Sequence, residues 1–240
     1  MSQTNTISKN IEKSKLVNNL FNRIAYKYDL LNRLMTFGQH KNLKEYAIKL
    51  ALKELKHIQS ALDICTGTGD LLLLINKHCK NCKITGIDNS ESMLDIAKRK
   101  INKFTNLSVR LEDFEGTESI NERYDLITIS FGLRNLAKQE SSINKIYKTL
   151  NQNGVFACID LGYPGNTLWR NIFFFYFFNI VPILGQIFAR DREAYLYLPN
   201  SLHSWRRQED LKELLLKTGF RKCFYNNIFG GAVAIHIGVK

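Results

Sequence analysis

Apolar residues near the start of the chain follow a helical spacing. Between positions 16 and 34 they return at three- and four-residue steps, which predicts a helix with one apolar face. The apolar positions between 43 and 52 predict a second helix. We expect the two helices to form an N-terminal helical cap over residues 1–58.

From position 61 onward, short apolar runs alternate with helical stretches. The predicted strands are 61–65, 84–88, 107–111, 124–131 and 155–161, and the predicted helices between them are 71–78, 90–100 and 141–150. This alternation builds a parallel sheet with helices on both faces. Ligands of such sheets bind beyond the carboxyl ends of the strands, so we expect the functional site there.

The region that follows is strongly apolar. Residues 172–178 are all apolar or aromatic, and the apolar character continues to position 189. Asn179, Pro182, Gly185 and Gln186 interrupt the run, which disfavours a membrane-spanning helix because a span needs about 20 apolar residues. We expect a buried helix, or one that forms an apolar substrate pocket or lies on a membrane.

The tail predicts a helix at 209–217, a turn at Gly219 and strands at 222–228 and 232–239. With no repeat or linker visible, we expect one domain over residues 1–240. After the cap, its predicted parts are a core at 59–161, an apolar helical insertion at 162–205, and a C-terminal helix and strands at 206–240.

Composition and charge limit the class of protein. Hydrophobic residues make up 45% of the chain and charged residues 23%, as in ordinary globular proteins. The first fifteen residues carry no apolar run, so we expect no secretion signal, and five scattered cysteines indicate reduced thiols in a cytosol-like compartment. The formal net charge of +12 suits nucleic acid or an anionic membrane surface, and compositional bias alone would also produce it.

A glycine-rich turn follows the first predicted strand, in the segment LDICTGTGD at 62–70. Glycines let the backbone turn sharply and approach a ligand, and Asp88 ends the next strand, where its carboxylate can accept hydrogen bonds from ribose hydroxyls. The third glycine of a dinucleotide motif is replaced by Leu72. S-adenosylmethionine, which has no pyrophosphate, therefore fits better than NAD; the alternative is a plain strand-turn-helix with a chance acid.

Several segments resemble the ubiquinone/menaquinone biosynthesis methyltransferases. They are FNRIAYKYDLLNRLMTFGQHK at 21–41, LDICTGTGD, GIDNSESML, ITISFGLRN at 127–135, and the ending GAVAIHIGVK. The resemblance covers nearly the whole chain. It implies an α/β, Rossmann-like class I methyltransferase fold, with a mostly parallel seven-stranded sheet and an antiparallel C-terminal strand. It also implies methyl transfer to a ring carbon of a prenylated quinol.

The resemblance and the glycine motif together indicate which residues bind S-adenosylmethionine. Asp113 and Phe114 match positions beside the adenine, and Ser130 matches a position that lines the cofactor site. The predicted cofactor-binding residues are Asp63, Gly67, Thr68, Gly69, Asp88, Asp113, Phe114 and Ser130. The chain departs from the family pattern at Gly116, Thr117 and Glu118, beside the adenine pair, and at Leu43, where the family has Trp.

The methyl sulfonium is an activated donor, so the protein must mainly align it with a carbon nucleophile and exclude water. We predict that Arg134 and Asn135 lie at this meeting point and that Arg134 stabilises a developing phenolate or orients a water; the alternative is a structural ion pair. Tyr28 is predicted to donate a hydrogen bond to a substrate oxygen, or else is a core aromatic. His78, Cys79 and Cys82 are one ligand short of a structural zinc site, so no metal is expected.

Two other functions remain open. One is a methyltransferase that acts on nucleic acid or on another small molecule. Nucleic acid would suit the charge, but the Asn/Asp-Pro-Pro-Tyr/Phe tetrapeptide is absent at Ser130–Leu133. The other alternative is a non-catalytic module that binds lipid or a protein partner through residues 173–178. We expect a demethylquinol partner, peripheral membrane contact and no nucleic acid. A homo-oligomer or association with other quinone-biosynthesis enzymes stays open. The expected location is the cytoplasm or plastid stroma; a naphthoquinol head group is favoured over a benzoquinol.

Overall fold

The computed structural model describes residues 2–117, 120–189, 191–203 and 205–240. The helices are α1 (Ser2–Met35), α2 (His40–Lys53), α3 (Asp70–His78), α4 (Glu91–Ile101), α5 (Gln139–Thr149), α6 (Thr167–Phe175), α7 (Val181–Ala189), α8 (Arg192–His203) and α9 (Gln208–Thr218). The strands are β1 (Ser60–Ile64), β2 (Lys83–Asp88), β3 (Leu107–Leu111), β4 (Tyr124–Ser130), β5 (Leu150–Leu161), β6 (Lys222–Ile228) and β7 (Val233–Val239).

The strands form one sheet in the order β3-β2-β1-β4-β5-β7-β6. Pairing is parallel from β3 to β5, whereas β7 runs antiparallel to both β5 and β6. The predicted fold class is therefore confirmed, including the antiparallel strand near the C-terminus. The order reverses direction between β1 and β4, which opens a crevice at their carboxyl ends.

An apolar layer covers each face of the sheet, because its central strands are buried on both sides. In β1, Leu62 and Ile64 belong to one layer and Ala61 to the other. Helices α5 and α9, together with part of α1, pack on the first face, and α2 and α3 pack on the second. This packing fixes the carboxyl ends of β1, β2 and β4 beside one another.

Three elements differ from the sequence prediction. Helix α1 begins at Ser2 rather than near 16, because its first turns are mostly polar and give no apolar pattern. Strand β5 begins at Leu150 rather than at 155, because its first residues are polar and give no apolar pattern. Helix α8 lies within the helical insertion predicted at 162–205, but its own bounds were not predicted, since it contains Pro199, which sequence patterns read as a helix breaker.

The apolar region consists of α6 and α7, joined by a π-helical turn at Tyr176–Ile180. Length and composition alone would let the run Thr167–Phe188 cross a membrane, as its mean hydropathy reaches 1.6. A core helix of a globular protein passes the same test when it is mostly buried, but only 22% of this run is buried. The run therefore lies largely on the outside of the fold.

Candidate active site

The glycine turn after β1 depends on backbone angles that favour glycine. Gly67 and Gly69 have φ values of +56° and +81°. A Cβ on Gly69 would lie 3.1 Å from the Cβ of Ala97 in α4, so a side chain there would also crowd the neighbouring helix. Cys65 and Phe131, at the ends of β1 and β4, have positive φ as well. Such strained residues cluster at functional sites.

Asp88 lies at the end of β2, directly beside this turn. Its Oδ2 accepts the backbone N–H of Gly67 at 2.8 Å, and its Oδ1 accepts that of Ser90 at 2.9 Å. Burial raises the pKa of Asp88, and the backbone donors oppose the rise. The carboxylate is thus held in a fixed position at the head of the crevice.

A small cavity of about 70 Å³ opens at this point between α1 and the ends of β1, β2 and β4. Of the predicted cofactor-binding residues, Gly67, Asp88, Asp113 and Ser130 line it. The Oγ atom of Ser130 is buried without a hydrogen-bond partner in the described part of the chain. Since buried hydroxyls are normally satisfied, this atom indicates a polar ligand in the small cavity.

Asp63 does not line this cavity in the structure. Its Oδ2 accepts a hydrogen bond from Thr66 at 2.7 Å, and its Oδ1 accepts one from Thr128 at 2.6 Å. Burial raises the pKa of Asp63 to about 6, against the effect of the two hydroxyls. Asp63 therefore ties the glycine turn to β4 rather than facing a ligand.

Thr68 is also turned away from the small cavity. Its hydroxyl donates to Asp29 Oδ1 at 2.7 Å and accepts from Lys100 Nζ at 3.0 Å. Lys100 Nζ also lies 2.6 Å from Asp29 Oδ2 and 2.9 Å from Asp70 Oδ1. We call Asp29, Thr68, Asp70 and Lys100 the latch, because they fasten α1 to the glycine turn and to α4.

The side chains of the consecutive residues Asp113 and Phe114 face different parts of the structure. Asp113 faces the small cavity, and its Oδ1 accepts the backbone N–H of Glu115 at 3.0 Å. Phe114 is buried, with Lys145 Nζ 4.5 Å from its ring centroid, and does not line that cavity. Glu118, one of the departures from the family pattern, lies outside the described residues.

A larger, mostly apolar cavity of about 510 Å³ adjoins the first. Helices α1, α2, α6 and α8 and the ends of β4 and β5 enclose it. Phe21, Tyr28 and Phe131 line both cavities, so the two meet at these side chains. Leu43, at the position of the family's Trp, is part of the larger cavity's wall.

Arg134 lies in the short 3-10 turn after β4 and forms part of this wall. Its guanidinium is buried: Nη1 donates to Asp160 Oδ1 at 2.6 Å and to the Phe131 carbonyl at 2.8 Å, and Nε donates to Ser201 Oγ at 3.1 Å. Arg134 therefore forms the structural ion pair that the sequence analysis gave as the alternative to a role at the substrate. It also faces the larger cavity.

Asn135 and Tyr28 lie on either side of the junction of the cavities. Asn135 faces the small cavity, and its Nδ2 donates to the Phe131 carbonyl at 3.1 Å. Burial raises the pKa of Tyr28, while a side-chain hydrogen bond with Asn32 and the charge of Arg134 oppose the rise. The phenol therefore stays protonated at neutral pH.

Sequence reasoning missed several residues of the site. Asn89 and Met93 line the small cavity, and Asp160 holds Arg134. An acid near the end of β5, which pairs with the strand that leads into the turn of Arg134, was the signal for Asp160. His40 and Tyr195 line the larger cavity, each with a buried polar atom that has no partner among the described residues. No group of three His, Cys, Asp or Glu side chains that could hold a metal occurs in the described ranges.

The fold, with two adjoining cavities at the carboxyl ends of its parallel strands, is that of class I methyltransferases. The model of the ubiE/COQ5 methyltransferase family matches residues 8–240. The chain belongs to this family.

Two relatives illustrate the similarity in sequence. The chain is 35% identical over 251 residues to the ubiquinone/menaquinone biosynthesis C-methyltransferase UbiE of Rickettsia bellii (strain RML369-C), with 100% of each chain covered. It is 31% identical to the demethylmenaquinone methyltransferase of Porphyromonas gingivalis, with 95% of this chain and 94% of that one covered.

Solved structures show the same fold at much lower identity. The plantazolicin methyltransferase BpumL, in complex with a pentazolic desmethylPZN analog and SAH, aligns with a TM-score of 0.66 at 18% identity over 99% of both chains. A SAM-dependent methyltransferase of Thermotoga maritima aligns with a TM-score of 0.62 at 16% identity, over 92% of this chain and 99% of that one.

Proposed function

We propose that this chain transfers a methyl group from S-adenosylmethionine to a ring carbon of a prenylated demethylquinol in quinone biosynthesis. The observation that carries the proposal is the contact between a small cavity at the glycine turn and a large apolar cavity. Such a pair suits a polar methyl donor beside an apolar acceptor. The names of the relatives, which include ubiquinone and menaquinone biosynthesis, agree with it.

The residues around the small cavity fit the cofactor. S-adenosylmethionine supplies a methyl group already activated on a sulfonium. In this proposal Asp88 accepts hydrogen bonds from ribose hydroxyls, Asp113 accepts one from the adenine amino group, and the unpartnered Ser130 hydroxyl binds a further polar atom. The glycine turn itself is held by Asp63, Thr68 and Gly69. Phe114 is buried next to Asp113 and anchors that part of the chain.

The larger cavity is the proposed quinol site. Methylation at carbon needs an electron-rich ring, which a quinol gains when a hydroxyl loses its proton. Arg134 is held at the cavity wall by Asp160, so its charge stabilises the developing phenolate. Tyr28 donates a hydrogen bond to a ring oxygen at the junction, and Asn135 orients groups on the cofactor side.

The test is an assay of the purified protein with S-adenosylmethionine and short-tailed demethyl naphthoquinol or benzoquinol, kept reduced. We expect mass spectrometry to detect the methylated quinol, with the naphthoquinol preferred. Parallel reactions contain RNA and DNA. Methylation of nucleic acid with both quinols untouched would overturn the proposal.

We also propose that the exposed face of α6 and α7 contacts an anionic membrane surface. Leu168, Phe175 and Ile187 are 71%, 63% and 63% exposed. Trp169 and Phe229 line the larger cavity at this face, and Trp169 Nε1 donates to the Phe229 carbonyl at 2.7 Å. A quinol with an apolar tail would thus reach the cavity from the lipid, and the net charge of +12 favours anionic headgroups.

A further inference from the structure

His40 is the first residue of α2 and lies in the wall of the larger cavity. Its backbone N–H donates to Thr36 Oγ1 at 3.1 Å, which fixes the start of the helix. The side chain is 5% exposed, and its Nδ1 is buried without a hydrogen-bond partner among the described residues. The ring is therefore enclosed by the protein while its Nδ1 atom lacks a partner.

A buried nitrogen without a partner is costly. Such a group has lost its hydrogen bonds to water without gaining one in the protein, so native structures rarely keep one without a reason. In the wall of an apolar cavity, the reason that fits is a ligand with a polar hydrogen. A quinol hydroxyl is such a group.

Burial, with two nearby lysines, keeps the imidazole of His40 neutral. Burial lowers the pKa of His40, and Lys44 and Lys41 lower it further, whereas the carboxylates of Asp70 and Asp29 oppose them. Lys44 Nζ is itself 3.3 Å from Asp70 Oδ2, which partly cancels both charges. At neutral pH the imidazole thus has a free electron pair.

The other titratable side chains of the larger cavity cannot take a proton. Arg134 is paired with Asp160, and a guanidinium does not lose its proton in proteins. Burial raises the pKa of Tyr28, Tyr176 and Tyr195, so these phenols are already protonated. Lys44 is ion-paired with Asp70. Among the described residues that line this cavity, His40 is the neutral base.

We propose that His40 accepts the hydroxyl proton of the bound quinol. The O–H bond breaks, its electron pair stays on the quinol oxygen, and an N–H bond forms on the imidazole. After the ring carbon has gained a methyl group, it loses its own hydrogen as a proton to water, and the imidazolium returns its proton to the oxygen. One proton is released per turnover, and no oxidant or reductant is needed. This role rests on the proposed quinol methylation.

The first experiment compares His40→Gln and His40→Asn with the unvaried protein. Both amides can hydrogen-bond but cannot accept a proton. We expect kcat to fall about 100-fold or more, in the range of general-base catalysis. The fall of kcat/KM at acid pH, which reports the protonation of His40, should disappear. Affinity for S-adenosylhomocysteine should not change, because His40 does not line the small cavity.

The matched control is His57→Gln, since His57 is exposed and lines neither cavity. It should keep both the rate and the pH profile. If His40→Gln also keeps both while the unvaried protein methylates the quinol, the role of His40 is refuted and the proposed function stands. If the unvaried protein methylates no quinol, the proposed function itself fails.

A second measurement needs no variant. The protein carries five histidines, which can be labelled with nitrogen-15. An acidic nitronaphthol bound with S-adenosylhomocysteine should transfer its proton, and one imidazole should then change from the neutral to the doubly protonated form in the NMR spectrum. If the nitronaphthol binds and all five imidazoles keep their protonation states, His40 is not the acceptor.

Discussion

Asp160 and Arg134 form a buried ion pair whose geometry is fixed at two points. Asp160 Oδ1 lies 2.6 Å from Arg134 Nη1, and Asp160 Oδ2 accepts the backbone N–H of Arg134 at 3.1 Å. Their side chains are 2% and 4% exposed. The pair joins β5 to the turn after β4, so one contact both stabilises the fold and orients a cation at the cavity wall.

Replacing Arg134 should therefore lower both stability and rate. Arg134→Met leaves Asp160 buried and unpaired, which costs about 3–5 kcal/mol of unfolding free energy. It also removes the charge that stabilises the phenolate, and we expect kcat to fall about 100-fold. Affinity for S-adenosylmethionine should change little, because Arg134 does not line the small cavity. Urea unfolding, steady-state kinetics and calorimetry measure the three quantities.

The double variant Arg134→Met with Asp160→Leu separates the two effects. An apolar pair of similar volume removes the unpaired charge, so stability should largely return while the rate stays low. A double variant that regains the rate would show that Arg134 acts only through folding.

Asp88 should control cofactor affinity. Asp88→Asn keeps the shape of the side chain but removes the charge that strengthens its hydrogen bonds. The loss of one such bond costs about 1.5–3 kcal/mol, and we expect S-adenosylmethionine to bind about 10- to 100-fold more weakly. Calorimetry measures the change.

The control for Asp88 is Asp95→Asn. Asp95 pairs with Lys98 on the exposed face of α4 and should have no effect on affinity. Equal affinities of Asp88→Asn and the unvaried protein would refute the assignment of Asp88 to the ribose.

The sequence was sufficient for the parts of this protein that are specified locally. The alternating pattern predicted the strands of the sheet, and the glycines with Asp88 predicted the crevice, because strand, turn and acid follow one another along the chain. The contacts of Arg134 could not be predicted in this way. Its partners Asp160 and Ser201 lie 26 and 67 residues further along, and only the packed fold brings them together.

Side-chain direction was the second limit. Thr68 lies within the glycine motif, yet its hydroxyl faces Asp29 and Lys100 rather than the small cavity. Cys65, Gly67 and Gly69 have positive φ, so the turn does not keep the regular alternation of a strand, and position in the motif does not fix the direction of a side chain. His40 lies in the segment 21–41 that resembles the family, but its role could not be predicted, because its unpartnered nitrogen is visible only once the cavity is formed.

Asp63 should make stability depend on pH. Burial raises its pKa from 3.8 to about 6, so the folded protein binds the proton more tightly than the unfolded chain. The stabilisation that the bound proton gives the folded protein is complete below about pH 4. It is lost as the pH rises through about 6, which lowers the unfolding free energy by about 3 kcal/mol. The unfolding free energy of the unvaried protein, minus that of Asp63→Asn, should therefore fall over this interval. If the difference stays constant between pH 4 and 7, Asp63 does not titrate in that range.

The latch should govern how tightly α1 closes the small cavity. Val17 and Phe21 of α1 line that cavity, and Lys100 binds Asp29 of the same helix. Lys100→Met should lower the free energy that holds α1 over the small cavity by about 1 kcal/mol. S-adenosylhomocysteine should then dissociate about fivefold faster in stopped-flow experiments. The control is Lys98→Met, in α4 like Lys100. Among the described residues Lys98 pairs only with the exposed Asp95, so this variant should leave the dissociation rate of S-adenosylhomocysteine unchanged. The same acceleration in both variants would point to a general effect of charge.

The exposed apolar face of α6 and α7 should decide membrane binding. The double variant Leu168→Ser with Phe175→Ser removes two side chains that are 71% and 63% exposed and that line neither cavity. Each buried apolar side chain contributes about 1.5–3 kcal/mol, so binding to phosphatidylglycerol vesicles should weaken at least about tenfold. Flotation at low and high salt measures it, and salt should weaken binding of the unvaried protein.

The matched control is Leu111→Ser, an equally exposed apolar residue on edge strand β3. It should bind vesicles as the unvaried protein does, since it lies outside the proposed contact face. The double variant Leu168→Ser with Phe175→Ser should methylate a short-tailed soluble quinol at the normal rate, because the catalytic cavities are intact and only delivery of the quinol from the lipid is impaired. If that variant floats with the vesicles as fully as the control does, α6 and α7 are not the membrane contact.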